Sequence, residues 1–462
     1  MNARTTSRIV TAAVLAALTG CAIGPDYARP ELPAPAEYRS ILAPQDANSF
    51  ADLAWTQVFN DPALQPVIEA ALANNLDLKI AAARVEEFRG RARVSRSGLG
   101  PNIGVTGGTS PAVGTPDDSS YSLGLSLQWE LDLFGRLRRA NEAARAQLLA
   151  TEEAQRGVVN ALVADVATTW FQLREIDEEV AIIERTITSQ QSSLDLVRSL
   201  KRNGVASATE ELQALSQLAA TQAQLPDAEL RRAQTENLLR FLLGGVPGPV
   251  AREGAADTLP VPDAIPVGLP AQLLARRPDL RQLESQLHAA TANVGVAEAS
   301  RFPYLSIGLT SFLGLVSTDL GTLLNGNDPA QDLFSIGPFV NMPIYQSGFG
   351  TGNVEVAEAQ LKQAELSYRK GVLQAYREVA DALIVTDKSR GIIEQNVIRR
   401  DAALRLVDLQ KKRYKAGVVS YLDVLDAERQ LFSAEISLSQ ARFGRVNGYV
   451  SLYRALGGGW GK

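Results

Sequence analysis

Ser122-Leu123-Gly124-Leu125-Ser126-Leu127-Gln128-Trp129 places an apolar side chain at every second position, with serine, glycine or glutamine between. Side chains of a strand point alternately to its two faces, so this run predicts a strand with one apolar and one small, polar face. The pattern recurs downstream. Leu305, Ile307 and Leu309 alternate with Ser306, Gly308 and Thr310, and Phe334, Ile336, Val340, Met342 and Ile344 share a parity. Two environments accept such strands: a half-buried sheet on a soluble core, or a membrane barrel with lipid outside and water inside. Alternation alone does not separate them.

Past the first strands the chain turns helical. No proline interrupts Gly135 to Arg202 or Gly348 to Ala416. At 1.5 Å per residue, roughly 65 residues reach about 100 Å, several times the apolar core of a bilayer. Ala357, Leu361, Ala364, Tyr368, Val372, Ala375, Val379 and Ala382 recur every three or four positions, the seam of a coiled coil. Each long helix is predicted to stop at a base-then-glycine sequence, Lys201-Arg202-Asn203-Gly204 or Lys415-Ala416-Gly417. Glycine accepts the left-handed cap, and the bases suit the negative helix end. The chain then returns as another amphipathic helix.

These segments are written twice. Asp77 and Asp279 open similar stretches, and Pro101 and Pro303 lie at the same offset of 202. Farther on the offset is 213, relating Gly135 to Gly348, Gln147-Leu148 to Gln360-Leu361, Gly204-Val205 to Gly417-Val418 and Ser207 to Ser420. The eleven-residue difference predicts a longer loop between Pro303 and Gly348. Repeat 1 is assigned to 61–245, with strands about 101–132 and a helical hairpin about 135–243. Repeat 2 is assigned to 271–456, with strands about 303–345 and a hairpin about 348–456; a linker, 246–270, and a tail, 457–462, complete it.

The amino terminus reads as an address. Arg4 and Arg8 precede an apolar run, Ile9 to Leu18, too short to span a bilayer and suited to an export signal over 1–20. Leu18-Thr19-Gly20-Cys21 resembles the lipobox of bacterial lipoproteins, which implies an acylated Cys21. Ala22 after it resembles sorting to the outer membrane. A Pro-rich tether fills 21–60. With an exported, anchored chain, the barrel becomes the better home for the strands.

Composition narrows the chemistry. Lys+Arg (46) is outnumbered by Asp+Glu (51), and the net charge of −5 does not suit a nucleic-acid partner. One histidine, His288, and one cysteine provide no disulfide, Cys/His zinc site or Cys–His dyad. His288 shares an amphipathic helix with Leu283, Leu287 and Ala290 and reads as structural. Nothing supports an enzyme, a metal or a cofactor.

Four strands cannot close a barrel, and an open edge in lipid leaves unpaired backbone groups at several kcal/mol each. Other copies of the chain must complete the wall. Two copies would give an interior filled by side chains; three would give twelve strands and a lumen.

Tyr27-Ala28-Arg29-Pro30, Trp129-Glu130-Leu131-Asp132-Leu133-Phe134-Gly135-Arg136, Arg276-Arg277-Pro278-Asp279-Leu280, Phe302-Pro303 and Tyr414-Lys415-Ala416-Gly417-Val418 resemble the TolC-like outer-membrane efflux proteins, in their lipoprotein branch. The resemblance implies a mainly α fold with a transmembrane β part: a homotrimer with a 12-stranded barrel continued by a periplasmic α-helical barrel. It implies a passive conduit that expels drugs or other toxic small molecules, set in outer-membrane lipid. Its partners would be a periplasmic adaptor and an inner-membrane efflux transporter.

The natural control point is the narrow end at the two helix turns, Gly204-Val205 and Gly417-Val418. Asp423 and Asp426 are three apart and share a helix face, so three chains would ring the mouth with carboxylates. Their positions resemble the family's acidic tip rings, Leu422 its apolar constriction and Arg429 its tying arginine. Asp426 with Arg429 would equally make an ordinary surface pair. Copy one carries Glu210 and Gln213 instead, so the hairpins are not equivalent. Two other readings share parts of the pattern: a non-conducting envelope scaffold lipoprotein, and an export duct for peptides or proteins.

Overall fold

A computed structural model describes residues 22–31, 53–59, 61–110, 120–252, 273–301, 306–325, 331–341, 345 and 347–458. Cys21, the export signal, most of the Pro-rich tether, Met342, Ile344 and the last four residues lie outside that set. Among the described residues there are eleven helices and four strands. The chain divides into two compact units, and each takes segments from both copies of the repeat.

The first unit holds the strands, β1 (Asn102–Ser110), β2 (Ser120–Leu131), β3 (Ser306–Ser317) and β4 (Gln331–Asn341), in one antiparallel sheet of order β1-β2-β3-β4. The register sets Val105, Leu125, Leu313 and Phe334 in one row and Ile103, Leu127, Ser311 and Ile336 in the next. Val105, Leu125, Leu313, Phe334, Ile103 and Ile336 are all exposed. The opposite face carries Gly104, Ser126, Thr106, Gly124 and Gly314. The alternation read from the sequence thus produces an open sheet with an uncovered apolar face.

Short polar contacts fix the strand ends. Trp129 Nε1 donates to the Leu99 carbonyl at 3.2 Å. Asp132 accepts from the backbone N–H of Leu137 at 3.0 Å and of Arg138 at 2.8 Å, stabilising the helix start as an anion there should. A short helix, Leu320–Asn325, lies between β3 and β4, within the longer connection that the change of offset predicts.

The second unit is helical. Helices Trp55–Val58 (α1) and Gln65–Asn74 (α2) precede Leu76–Ser97 (α3), which runs into the first unit. The 67-residue helix Arg136–Arg202 (α4) and its counterpart Phe349–Lys415 (α10), also of 67 residues, contribute to both units. Ala357, Tyr368, Val372, Ala375, Val379 and Ala382 of the seam are buried.

Repeat 2 returns through one helix, Tyr421–Ala455 (α11). Repeat 1 does not. Its return leg is two helices, Ala208–Gln222 (α5) and Gln224–Leu242 (α6), rather than the single one expected. Pro226 stands in the first turn of α6, where its missing N–H does no harm; inside a continuous helix its ring would strike the carbonyl of Gln222.

A core of α1, α2 and the middle of α4 meets α6, α10 and the end of α11, with Trp170, Leu64, Ile68, Leu173 and Tyr453 fully buried. Phe59 meets Tyr453 edge-to-face at 5.6 Å. Arg252 binds both Asp177 of α4 and Glu236 of α6, which fastens the start of the linker.

Candidate functional site

The turns that the repeat predicts are built alike. Gly204 and Gly417 adopt φ of 76° and 72°, the left-handed region where glycine is favoured. Val205 N–H donates to the Leu200 carbonyl at 2.9 Å and Val418 N–H to that of Arg413 at 3.0 Å. Gly204 and Gly417 donate to the carbonyls of Lys201 and Tyr414, completing the two-bond motif that ends a helix on glycine. Val205 and Val418 are left exposed.

The helices after the turns start with reciprocal caps. Ser207 N–H donates to Glu210 at 2.7 Å and Glu210 N–H to Ser207 Oγ at 3.2 Å. In copy two, Ser420 N–H and Oγ–H both donate to Asp423 Oδ2 at 2.9 Å. Asp423 therefore serves first as a helix cap, a role the sequence reading did not give it. It remains exposed beside Leu422.

Asp426 binds within its own helix. Arg429 lies 3.6 Å away, both side chains are about half exposed, and Gln430 Nε2 donates to Asp426 at 2.6 Å. Within one chain this is the geometry of an exposed i,i+3 pair. Leu422 and Arg429 also line a cleft of about 450 Å³ with Thr209, Leu212, Gln213 and Ser216 of α5. Leu422 and Arg429 of copy two thus share one concave surface with Gln213 of copy one.

Beneath the cleft, Leu194, Val197, Ala214, Leu218, Tyr414, Tyr421, Val424 and Leu425 form an apolar core drawn from both hairpins. Inside it sits a charge that sequence reasoning missed. Glu428 has a side chain 4 % exposed, bound by Lys411 Nζ at 2.7 Å and by Ser193 Oγ at 2.9 Å. Lys411 also donates to Ser189 Oγ at 2.8 Å. Three helices are joined by this one carboxylate. Burial, and then the Glu428 charge, push the Tyr421 hydroxyl up. The signal was present in the spacing: Tyr421, Val424 or Leu425, and Glu428 follow one helix stripe, as do Val407, Lys411 and Tyr414.

A second acid stands where α4 meets α6. Arg231 grips Glu179 with two bonds of 2.7 and 2.8 Å. Burial, then the neighbouring Glu179 charge, raise the Glu175 carboxyl to about 7. An acid whose folded value is raised contributes stability at low pH that fades as pH climbs through that value. The unfolding midpoint should therefore fall between pH 4.5 and about 7, and Glu175→Gln should flatten that part of the profile. Matching profiles for the two proteins would remove Glu175 as the cause.

No helix among the described residues is long and apolar enough to cross a membrane. The exposed apolar face of the sheet is a surface that suits lipid. The family model for outer membrane efflux proteins matches residues 67–245 and 269–458. The chain belongs to the outer membrane efflux protein family. It is similar to the solvent efflux pump outer membrane protein SrpC of Pseudomonas putida, 38 % identical with 96 % of each chain covered. It is also similar to the cation efflux system protein CusC of Escherichia coli, 35 % identical with 97 % of each covered. The outer-membrane channel OprN superposes with a TM-score of 0.87 at 32 % identity, over 96 % of this chain and 100 % of the other. Membership makes this protein an outer-membrane channel component of an efflux system.

Proposed function

We propose that three copies of this efflux-family chain close a twelve-stranded barrel and continue it as an α-helical barrel, forming a passive conduit for drugs or other toxic small molecules. The observation that carries the proposal is the sheet. Within the described residues β1 pairs with β2 alone and β4 with β3 alone, while their apolar face stands open. Hydrocarbon offers unpaired edges nothing, so each edge is satisfied by the next copy. Three copies give a lumen where two would give a filled interior. Acyl chains on Cys21 would anchor the assembly.

Two relatives of similar identity are named for solvent and for cations, cargoes with little chemistry in common. A conduit tolerant of both would leave selection to the inner-membrane transporter and pass cargo on through a periplasmic adaptor. The gate is proposed at the helix tips that follow the Gly204-Val205 and Gly417-Val418 turns, with Leu422, Asp423, Asp426 and Arg429 as its residues. Leu422 and Arg429, lining the cleft beside α5, support that reading.

Asp426→Ala with Arg429→Ala is expected to raise single-channel conductance in planar bilayers. Unchanged conductance would take both residues out of the gate. A protein that forms no conducting pores at all, or that runs as a monomer in detergent, would favour the scaffold reading instead.

A further inference from the structure

The segment just after Cys21 is built into the first unit. Ile23 N–H donates to the Phe134 carbonyl at 3.1 Å. Arg139 of α4, nearly buried, spends its guanidinium on the strap. It donates to the carbonyls of Ile23 at 3.2 Å and Gly24 at 3.1 Å, and to Asp26 at 2.7 Å. The helix Pro278–Arg301 (α8) lies so close that a Cβ on Gly24 would fall 2.3 Å from the Gly295 Cα. Arg29 holds Glu284 of α8 at 2.6 Å, and Tyr27 Oη donates to the same carboxylate at 3.2 Å.

The protein's one histidine closes this circuit. The His288 ring stacks on Tyr27 at 4.7 Å and 20°, and its Nε2 lies 2.9 Å from Glu142 of α4. The other oxygen of Glu142 accepts from Arg139 at 2.9 Å. Burial opposes the Glu142 charge, yet hydrogen bonds from His288 and Arg139 hold its carboxyl below the usual range. A continuous loop results: strap, Arg139, Glu142, His288, then Tyr27 of the strap again.

We infer that His288 is a proton-operated latch on the N-terminal strap, tightening its hold on α4 and α8 when the imidazole is charged. A neutral ring offers Glu142 one ordinary hydrogen bond, and in one tautomer a lone pair. An imidazolium offers a charge-assisted bond about twice as strong and places a cation against the Tyr27 ring. The charged and titratable groups around the ring are Arg139 and Glu142 from α4, Glu284 from α8, Asp26, Tyr27 and Arg29 from the strap, and Tyr368 of α10 beside Arg29. Among side chains in general, imidazole is the one suited to switch charge near neutral pH.

The test is a nitroxide on Ala28→Cys, an exposed strap position, in the full-length protein in detergent, with the unsubstituted chain as background. The mobile fraction of the label should rise about fivefold between about pH 5.5 and about pH 8. With His288→Gln added, which keeps a hydrogen-bonding group but no charge, the profile should be flat. Arg139→Gln should free the strap at every pH and shows what an unlatched spectrum looks like. The same pH profile with and without His288→Gln overturns the latch, and so does a label that is mobile throughout in the parent.

Discussion

Replacing Lys411 with methionine is expected to lower the thermal unfolding midpoint of the detergent-solubilised protein by on the order of 5 °C or more, a loss of about 3 kcal/mol or more. The reasoning rests on Glu428. Its carboxylate is shielded from water and bound by the Lys411 ammonium at 2.7 Å and the Ser193 hydroxyl at 2.9 Å. Its second oxygen has no hydrogen bond. Methionine fills much of the lysine volume, so packing changes little while a buried charge loses its partner. Helix α10 then loses its polar contacts to Glu428 of α11 and Ser189 of α4.

A second variant separates charge from packing. Lys411→Met with Glu428→Leu removes both ions and should recover most of the loss, because apolar replacements of a buried pair are often neutral or stabilising. A single variant that melts with the parent would refute the account. So would a double variant no better than the single one, which would point to packing. Ser193→Ala gives a graded check, since one hydrogen bond to a charged group is worth roughly 1.5–3 kcal/mol.

What was legible in the chain followed from the range of each signal. The repeat offset located both turns, because base-then-glycine at Gly204 and Gly417 carries its own backbone geometry. Period two located the sheet, since alternation is local and the register of β2 with β3 matches like faces. Pro226 also lay in view, and its break in the return leg of repeat 1 follows from the ring alone.

The site residues divide differently. Asp423 was read for its charge although a serine three positions before it specifies a cap. Glu428 and Lys411 lie on buried stripes that helix spacing exposes, but their meeting is a property of packing between two helices. His288 was beyond local reasoning altogether. Its partners Glu142 and Tyr27 come from α4 and from the strap, far away in the chain, and no periodicity links them.

Gly124→Val should abolish the assembled channel. Gly124 on β2 faces Gly314 on β3, the pairing at which the strand hairpins of the two copies join. A Cβ at Gly124 would fall 2.6 Å from the Gly314 Cα and 2.6 Å from the Leu313 carbonyl oxygen, and one at Gly314 would fall 2.4 Å from the Leu123 carbonyl oxygen. All three obstacles are backbone, which cannot swing aside as a side chain does. The strands must part or slip, and a slip of one residue would turn every apolar side chain of β2 to the polar face. Because three copies are proposed to share the wall, the fault would recur three times around it. Light scattering on detergent-purified protein should show loss of the trimer, and planar bilayers loss of conductance. Gly108→Ala supplies the contrast, since a Cβ there meets only Ser122 Oγ at 3.5 Å, an ordinary contact, and the trimer should survive. If Gly124→Val assembled and conducted like its parent, the join between β2 and β3 would not be what holds the two halves of the sheet together.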